Sequence, residues 1–340
     1  MSTTKFTVPG LTKLRHKSPN IHHTALTISQ LNSALITAPR WHKTQGTYQT
    51  FAAYRSEIYD ESRPLATWSG AQNYEHAWKL YLTGWPYGIK LGRELRLKLA
   101  PETKKLHGHI ASTLVDRPSL VPGRLDLNAA ITDCRPEHFV RSSRSNTTSV
   151  GQQEFCSVYV NLAYSWCTDI PKMVKFALTI AETITMLESL GLVRFRVIPF
   201  YAIRLPDCQQ TAITQFTLKE YLQPANHKQL ITVLSAPFML RRLMFALLDG
   251  IRDFDSVTCY GMGHYGNCIQ NTTLLGQILS EHKTAEANVI WNLEDCGSYQ
   301  SILELLEPLR KELPELRRIL AQARVIKSSQ PEASTSSAAN

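Results

Sequence analysis

The spacing of apolar residues in this chain changes rhythm near its middle. After residue 153, "FCSVYVNLAYS" is an almost unbroken apolar run of strand length. "DIPKMVKFALTIAETITMLESLG" then repeats at the helical period up to Gly191, and "LVRFRVIPFYAI" returns to β-branched and aromatic residues. Strand, long helix and strand in that order predict a βαβ unit with parallel strands. Further on, "LITVLSAPFMLRRLMFALLDG" predicts a mainly helical block, "DSVTCYG" a short strand, residues 272–283 a helix and "NVIWNLE" another strand. A Leu-rich helix over 302–323 follows, which Pro308 and Pro314 must kink or divide in two.

The first half is less regular. In "WSGAQNYEHAWKLYLTGWP", Ser69 and Gln72 have capping-box spacing, Ala71, Tyr74, Trp78 and Leu82 fall on one helical face, and Gly84 and Pro86 end the helix. "GIKLGRELRLKLAPETKKL" fits both periods and is read as helix. Residues 141–153 are polar and rich in Ser and Thr, as a linker would be, and residues 328–340 have the composition of a disordered tail. The predicted fold class is α/β. Its organisation is a basic arm over 1–56, a mainly helical region over 57–140, a Rossmannoid α/β domain over 154–298 and a C-terminal helical segment over 299–327.

Charge sharpens this picture. The formal net charge is +9, and no acidic residue precedes Glu57, whereas Lys5, Lys13, Arg15, Lys17, Arg40, Lys43 and Arg55 do. A second basic stretch carries Lys79, Lys90, Arg93, Arg96, Lys98, Lys104 and Lys105 against Glu94 and Glu102. Such an excess favours an anionic partner, nucleic acid first. Every long apolar run is interrupted by charge, so no membrane helix and no membrane partner are expected. The seven cysteines include no Cys-x-x-Cys pair and are odd in number, which fits reduced thiols in a cytosol-like compartment.

Candidate chemistry is sparse. The stretch 157–171, "SVYVNLAYSWCTDIP", resembles the first strand and turn of a von Willebrand factor A-like domain, in which an Asp-x-Ser-x-Ser turn holds a divalent cation. Here the three ligand positions carry Asn161, Ala163 and Ser165. One carboxylate is neutral and one oxygen is missing, so the turn is expected to hold no cation, and Asn161 and Ser165 are expected to fix the turn and cap the helix. Gly261, Gly263 and Gly266 have dinucleotide-loop spacing, with Glu286 twenty residues further on, but bulky His264 and Tyr265 crowd the phosphate approach. Cys259, His264, Cys268 and Cys296 supply soft metal ligands at a spacing that matches no zinc motif. Cys167 is a lone thiol in apolar surroundings, and Asp253 and Asp255 are solvated turn residues. No cofactor is expected. Trp78 and Trp85, although set among cations, are read as core residues rather than base-stacking platforms.

The blocks "WSGAQNYEHAWKLYLTGWP", "VNLAYSWCTDIPKMVKFALTIAETITMLESLG" and "SAPFMLRRLMFALL" resemble, in that order, an uncharacterised family carried by phages and related mobile elements. The resemblance implies a viral context and an α/β fold, and no catalytic residue. The resulting expectation is a non-enzymatic protein that binds DNA or RNA with little sequence preference. Lys5, Lys13, Arg15, Lys17, Arg40, Lys43 and Arg55 would make the contacts, in the host cytoplasm or in a virion beside other virion proteins. Two alternatives stand beside it: a protein–protein interaction module with a degenerate cation turn, and a nucleotide- or metal-using enzyme at the 261–266 loop.

Overall fold

The computed structural model describes residues 12–15, 17–18, 21–44, 70–115, 153–163, 169–205, 210–244, 246–247, 267–268, 272–281, 287–292 and 301–328. The protein is a mixed α/β fold. Its strands are β1 (Thr12–Leu14), β2 (Ile21–Leu26), β3 (Glu154–Asn161), β4 (Val193–Leu205), β5 (Gln210–Phe216), β6 (Asn267–Cys268) and β7 (Ala287–Asn292). The helices are α1 (Ile28–Thr44), α2 (Tyr74–Thr83), α3 (Pro86–Val115), α4 (Ile170–Ser189), α5 (His227–Ser235), α6 (Thr272–Ser280), α7 (Ile302–Glu312) and α8 (Pro314–Ser328), with a π-helical turn at Met239–Met244.

One sheet runs in the order β1-β2-β5-β4-β3-β7, and β6 pairs with the far half of β4. The predicted βαβ unit is β3-α4-β4, with β3 and β4 parallel from Glu154↔Val193 to Asn161↔Phe200. β5 turns back as an antiparallel hairpin on β4, and β7 joins β3 in parallel on its other side. The chain therefore leaves β3 towards one edge of the sheet and returns on the other, so that the C-terminal ends of β3 and β7 flank a reversal of strand order. In open α/β sheets that is where a crevice forms.

Side-chain alternation along the strands makes two cores. Val158, Val160, Phe195, Val197, Tyr201, Val289 and Trp291 point to the larger one, while Tyr159, Phe200, Ala202, Ile213 and Ile290 point to the opposite face, covered by Leu275, Ile278 and Leu279 of α6. On the larger side α4 lies against the sheet and is covered in turn by α3, α5 and α7. Thirteen of its side chains are buried, around nearly the whole circumference, because neighbours enclose it on every side. Gly191 ends α4 at φ 68°, as its place in the sequence predicts. Gly84, between α2 and α3, has φ 91°, a conformation that favours glycine, and a Cβ there would also displace the ends of the Lys228 and Ile89 side chains.

Several expectations are corrected. The segment read as an arm supplies β1, β2 and α1. β2 pairs in parallel with β5 from Ile21↔Thr211 to Leu26↔Phe216, and Leu31, Ala34, Leu35 and Ala38 of α1 are buried. The sheet thus joins strands from the N-terminal region and from residues 154–292. α2 is capped by Asn73, whose side chain accepts from His76 N, rather than by a box at Ser69, which lies outside the described residues. Its buried face is Tyr74, Ala77 and Leu80, while Leu82 is exposed because α2 is only one side of a corner. Other readings agree. "GIKLGRELRLKL" is helical within α3, Trp85 is buried edge-on against Phe238, and α7 and α8 meet at Leu313 ahead of Pro314. The predicted strand at "DSVTCYG" and the linker at 141–152 lie outside the described residues.

Candidate functional site

Of the residues assigned to anion contact, Lys13, Arg15 and Lys17 are exposed at the β1 edge of the sheet. Arg40 and Lys43 belong to α1, while Lys5 and Arg55 lie outside the described residues. The second basic stretch falls on α3, apart from Lys79, which belongs to α2. Leu91, Leu95, Leu99, Leu106 and Ile110 turn that helix towards the core, and Lys90, Arg93, Lys98, Lys104 and Lys105 stand exposed on the opposite face, interrupted by Glu94. Arg96 stands apart. Its Nε is 2.7 Å from Glu182 Oε1, so its charge is already matched within the fold.

Glu182 also faces His227, the first residue of α5, at 3.4 Å from Nδ1, and His227 Nε2 shares a 2.8 Å hydrogen bond with Thr185 Oγ1. A hydroxyl, an imidazole and a carboxylate in a row have the layout of a nucleophile relay. Here Arg96 holds the carboxylate that would have to steady an imidazolium, and Thr185 sits in the middle of α4, one turn from Glu182. The set is therefore a clamp joining α3, α4 and α5. Burial pushes His227 below its ordinary value of 6.5; Glu182 opposes that shift and Arg96 adds to it. The neutral form is favoured in the folded state, so just below pH 6.5 the unfolded chain binds more protons. The contribution to stability is complete above about pH 6.5 and is lost as pH falls through the lowered native value. Urea unfolding should accordingly give a midpoint that drops between pH 7 and 5, and His227→Gln should flatten part of that drop. An unchanged profile in the variant would refute the clamp.

At the reversal of strand order, Asn161 and Asn292 end β3 and β7 in register with each other. Both are buried. Asn161 Nδ2 donates to Asn292 Oδ1 at 2.9 Å, and Asn161 Oδ1 accepts from Ala163 N at 3.1 Å. Asn161 therefore fixes the turn, as expected, through its own side chain. It does not cap α4: that place belongs to Asp169, whose side chain makes no capping bond, and Pro171 lies in the first turn. Ser165 and Cys167 lie outside the described residues, as do Gly261, Gly263, His264, Gly266, Asp253, Asp255, Cys259, Glu286 and Cys296. Among the described residues no group of three His, Cys, Asp or Glu side chains has the geometry to hold a metal ion, and no helix is long and apolar enough to cross a membrane. Cys156 is a buried thiol in no disulfide, with its Sγ 3.9 Å from Ser157 O.

The sequence reading did not find the pair of Lys219 and Glu188. Lys219 is buried, and its Nζ donates to Glu188 Oε1 at 2.7 Å, to Phe195 O at 2.9 Å and to Glu220 O at 3.2 Å. Glu188 Oε1 also accepts from Phe195 N. All three ammonium protons are used, and the pair pins the strand after β5 to the end of α4. Its only sequence signal is one charge at each end of otherwise apolar segments.

The described residues thus place a neutral, inward-facing polar pair at the ends of β3 and β7 and exposed cations on the outer face of α3. The chain belongs to the family described as Domain of unknown function (DUF7192), which matches residues 31–314, from within α1 to the start of α8. No curated protein and no solved structure matches it.

Proposed function

We propose that this is a non-enzymatic nucleic-acid-binding protein of a phage or related mobile element, acting in the host cytoplasm or as a component of the particle. The observation that carries the reading is the outer face of α3. Five Lys and Arg side chains, Lys90, Arg93, Lys98, Lys104 and Lys105, are exposed on a helix whose other face is anchored in the core. At 1.5 Å per residue, the fifteen steps from Lys90 to Lys105 span about 22 Å, the reach of several phosphates. Lys13, Arg15 and Lys17 add exposed charge at the sheet edge. The order of strand, turn, long helix and parallel strand supports a von Willebrand A-like core, with Asn161 in the place of a ligand carboxylate. The test is fluorescence anisotropy of the full chain with labelled DNA and RNA. Five phosphate contacts would weaken binding about five-hundredfold between 50 and 200 mM salt. Absence of binding at 50 mM salt would overturn the proposal. A protein–protein interaction module would then take its place, a reading favoured by the inward-facing Asn161–Asn292 pair, which leaves the turn a scaffold rather than a ligand site.

A further inference from the structure

The sheet face turned away from α4 changes character along the strands. Towards the C-terminal half of β4 it carries Phe200 and Ala202, which pack with Tyr159 beneath α6. At the opposite end, Phe155 is in register with Arg194 and Ser157 with Arg196 on the parallel strands β3 and β4. Alternation puts Phe155 and Ser157 on the same face as Tyr159, and their partners beside them on a strand about 4.8 Å away. Tyr221 crosses over this group. Its hydroxyl shares a 2.8 Å hydrogen bond with Ser157 Oγ, its ring meets that of Phe155 edge to face at 5.3 Å, and the Arg196 guanidinium lies 4.5 Å from its centre. Arg196 is matched by Glu220 at 2.9 Å, and the Glu154 carboxylate accepts from Glu315 N and Leu316 N at the start of α8. Arg194 is left over. Its Nε is buried without an acceptor, and no carboxylate pairs with it among the described residues. Beside it Phe155 is 42% exposed.

We infer that this end of the sheet is a stacking site for single-stranded nucleic acid, with a base on the Phe155 ring and the adjoining phosphate on Arg194. This deepens the nucleic-acid reading above and rests on it, but it concerns the side of the sheet opposite α3. An edge-to-face contact with Tyr221 leaves at least one face of the Phe155 ring unused. A ring fixed on a strand with a cation next to it is what stacking asks for, because every base has a π-face and every nucleotide brings a phosphate. A phosphate on the Arg194 guanidinium would also supply the negative charge that the fold does not. Bases within a duplex are already stacked on one another and cannot lie on a ring that stands on a sheet, so the single strand is the form that fits. The Ser157 hydroxyl and the Arg196 guanidinium are engaged by Tyr221 and Glu220. Few donors remain to read base edges, and the contact tolerates any sequence.

The experiment uses the full chain and three labelled probes, followed by fluorescence anisotropy at 50 mM salt: a short oligo-dT, an abasic strand with the same number of phosphates, and a DNA duplex of the same length. Oligo-dT is expected to bind about tenfold more tightly than the abasic strand, the size of effect that one stacked base supplies. Phe155→Leu, which keeps an apolar side chain against Tyr221, should cut that advantage to threefold or less and leave abasic and duplex binding within about twofold of the unsubstituted chain. Phe155→Trp, which keeps and enlarges the ring, should bind oligo-dT at least as tightly as the unsubstituted chain. Arg194→Gln should weaken both single strands and lower the log–log salt slope for oligo-dT by about 0.7. Circular dichroism verifies that each variant is folded, and Phe155→Trp decides the matter if Phe155→Leu is not. Equal binding of oligo-dT and abasic strand, a Phe155→Leu protein that keeps the full preference, or a Phe155→Trp protein that loses it would overturn the stacking site and leave charge-driven binding standing. Failure of every probe to bind would overturn both.

Discussion

A chain lacking residues 1–45 is expected not to reach the native fold. The basic composition of this segment invites its removal as a dispensable arm, but the deletion takes away β1, β2 and α1 together. β2 is the parallel partner of β5, so its loss leaves a row of peptide groups on β5 unpaired over six residues. The deletion also removes Leu26, Leu31, Ala34, Leu35 and Ala38 from the core, and with Leu35 the carbonyl that accepts from the buried Tyr74 hydroxyl. Burying a leucine is worth roughly 2 kcal/mol, and three leucines alone, about 6 kcal/mol, match the lower end of the 5–15 kcal/mol stability of an ordinary domain. The truncated protein should be insoluble, or should show a broad, uncooperative thermal transition by circular dichroism. A soluble truncation that melts as sharply as the full chain would show that these elements are not part of the folded core. Charge removal is better tested by substituting Lys13, Arg15 and Lys17, whose side chains are exposed and whose backbone would stay in place.

The second large effect concerns Lys219. Lys219→Ala should cost about 3 kcal/mol, because it leaves the largely enclosed Glu188 carboxylate with Phe195 N as its backbone donor, and the carbonyls of Phe195 and Glu220 without their ammonium partner. The relevant measurement is urea unfolding at pH 7, compared with a Lys219→Met, Glu188→Gln double variant. Removing both charges should restore most of the loss, since much of the penalty comes from the stranded partner rather than from the absent attraction. A double variant as unstable as Lys219→Ala would mean that the lysine stem and its carbonyl contacts, rather than the charge pair, hold the turn.

The central β3-α4-β4 unit was legible in the sequence because its elements are buried on both faces, and enclosure forces the uninterrupted apolar runs that give them away. The two-helix end was legible for a different reason, since proline imposes its own break. What the sequence hid were elements whose burial is polar. β2 reads "IHHTAL" and buries His23 and Thr24, the histidine satisfied by a 2.9 Å hydrogen bond to Gln215 on β5. Without the partner strand, nothing separates that stretch from a surface loop. β5, "QTAITQF", has the same polar cast. The capping of α2 by Asn73 went unseen because Ser69 and Gln72 offered a better-known spacing four residues earlier. On α3 the cations were plain in the sequence. Their gathering on one exposed face needed the helix to be certain and its buried side known, since an alternating strand would have set the same charges on different faces.

The pairing of β2 with β5 also sets a schedule for synthesis. His23 and Gln215 touch although 192 residues separate them, so β2 waits for a strand made that many residues later. At about 5–20 residues per second, that interval lasts roughly ten to forty seconds. Throughout it β2 has β1 beside it but lacks β5 on its other edge, and closing so long a loop favours slow folding over fast. A nascent chain stopped before residue 210 should therefore still be open to proteolysis near its own N-terminus, and protection there should appear only once β5 has emerged.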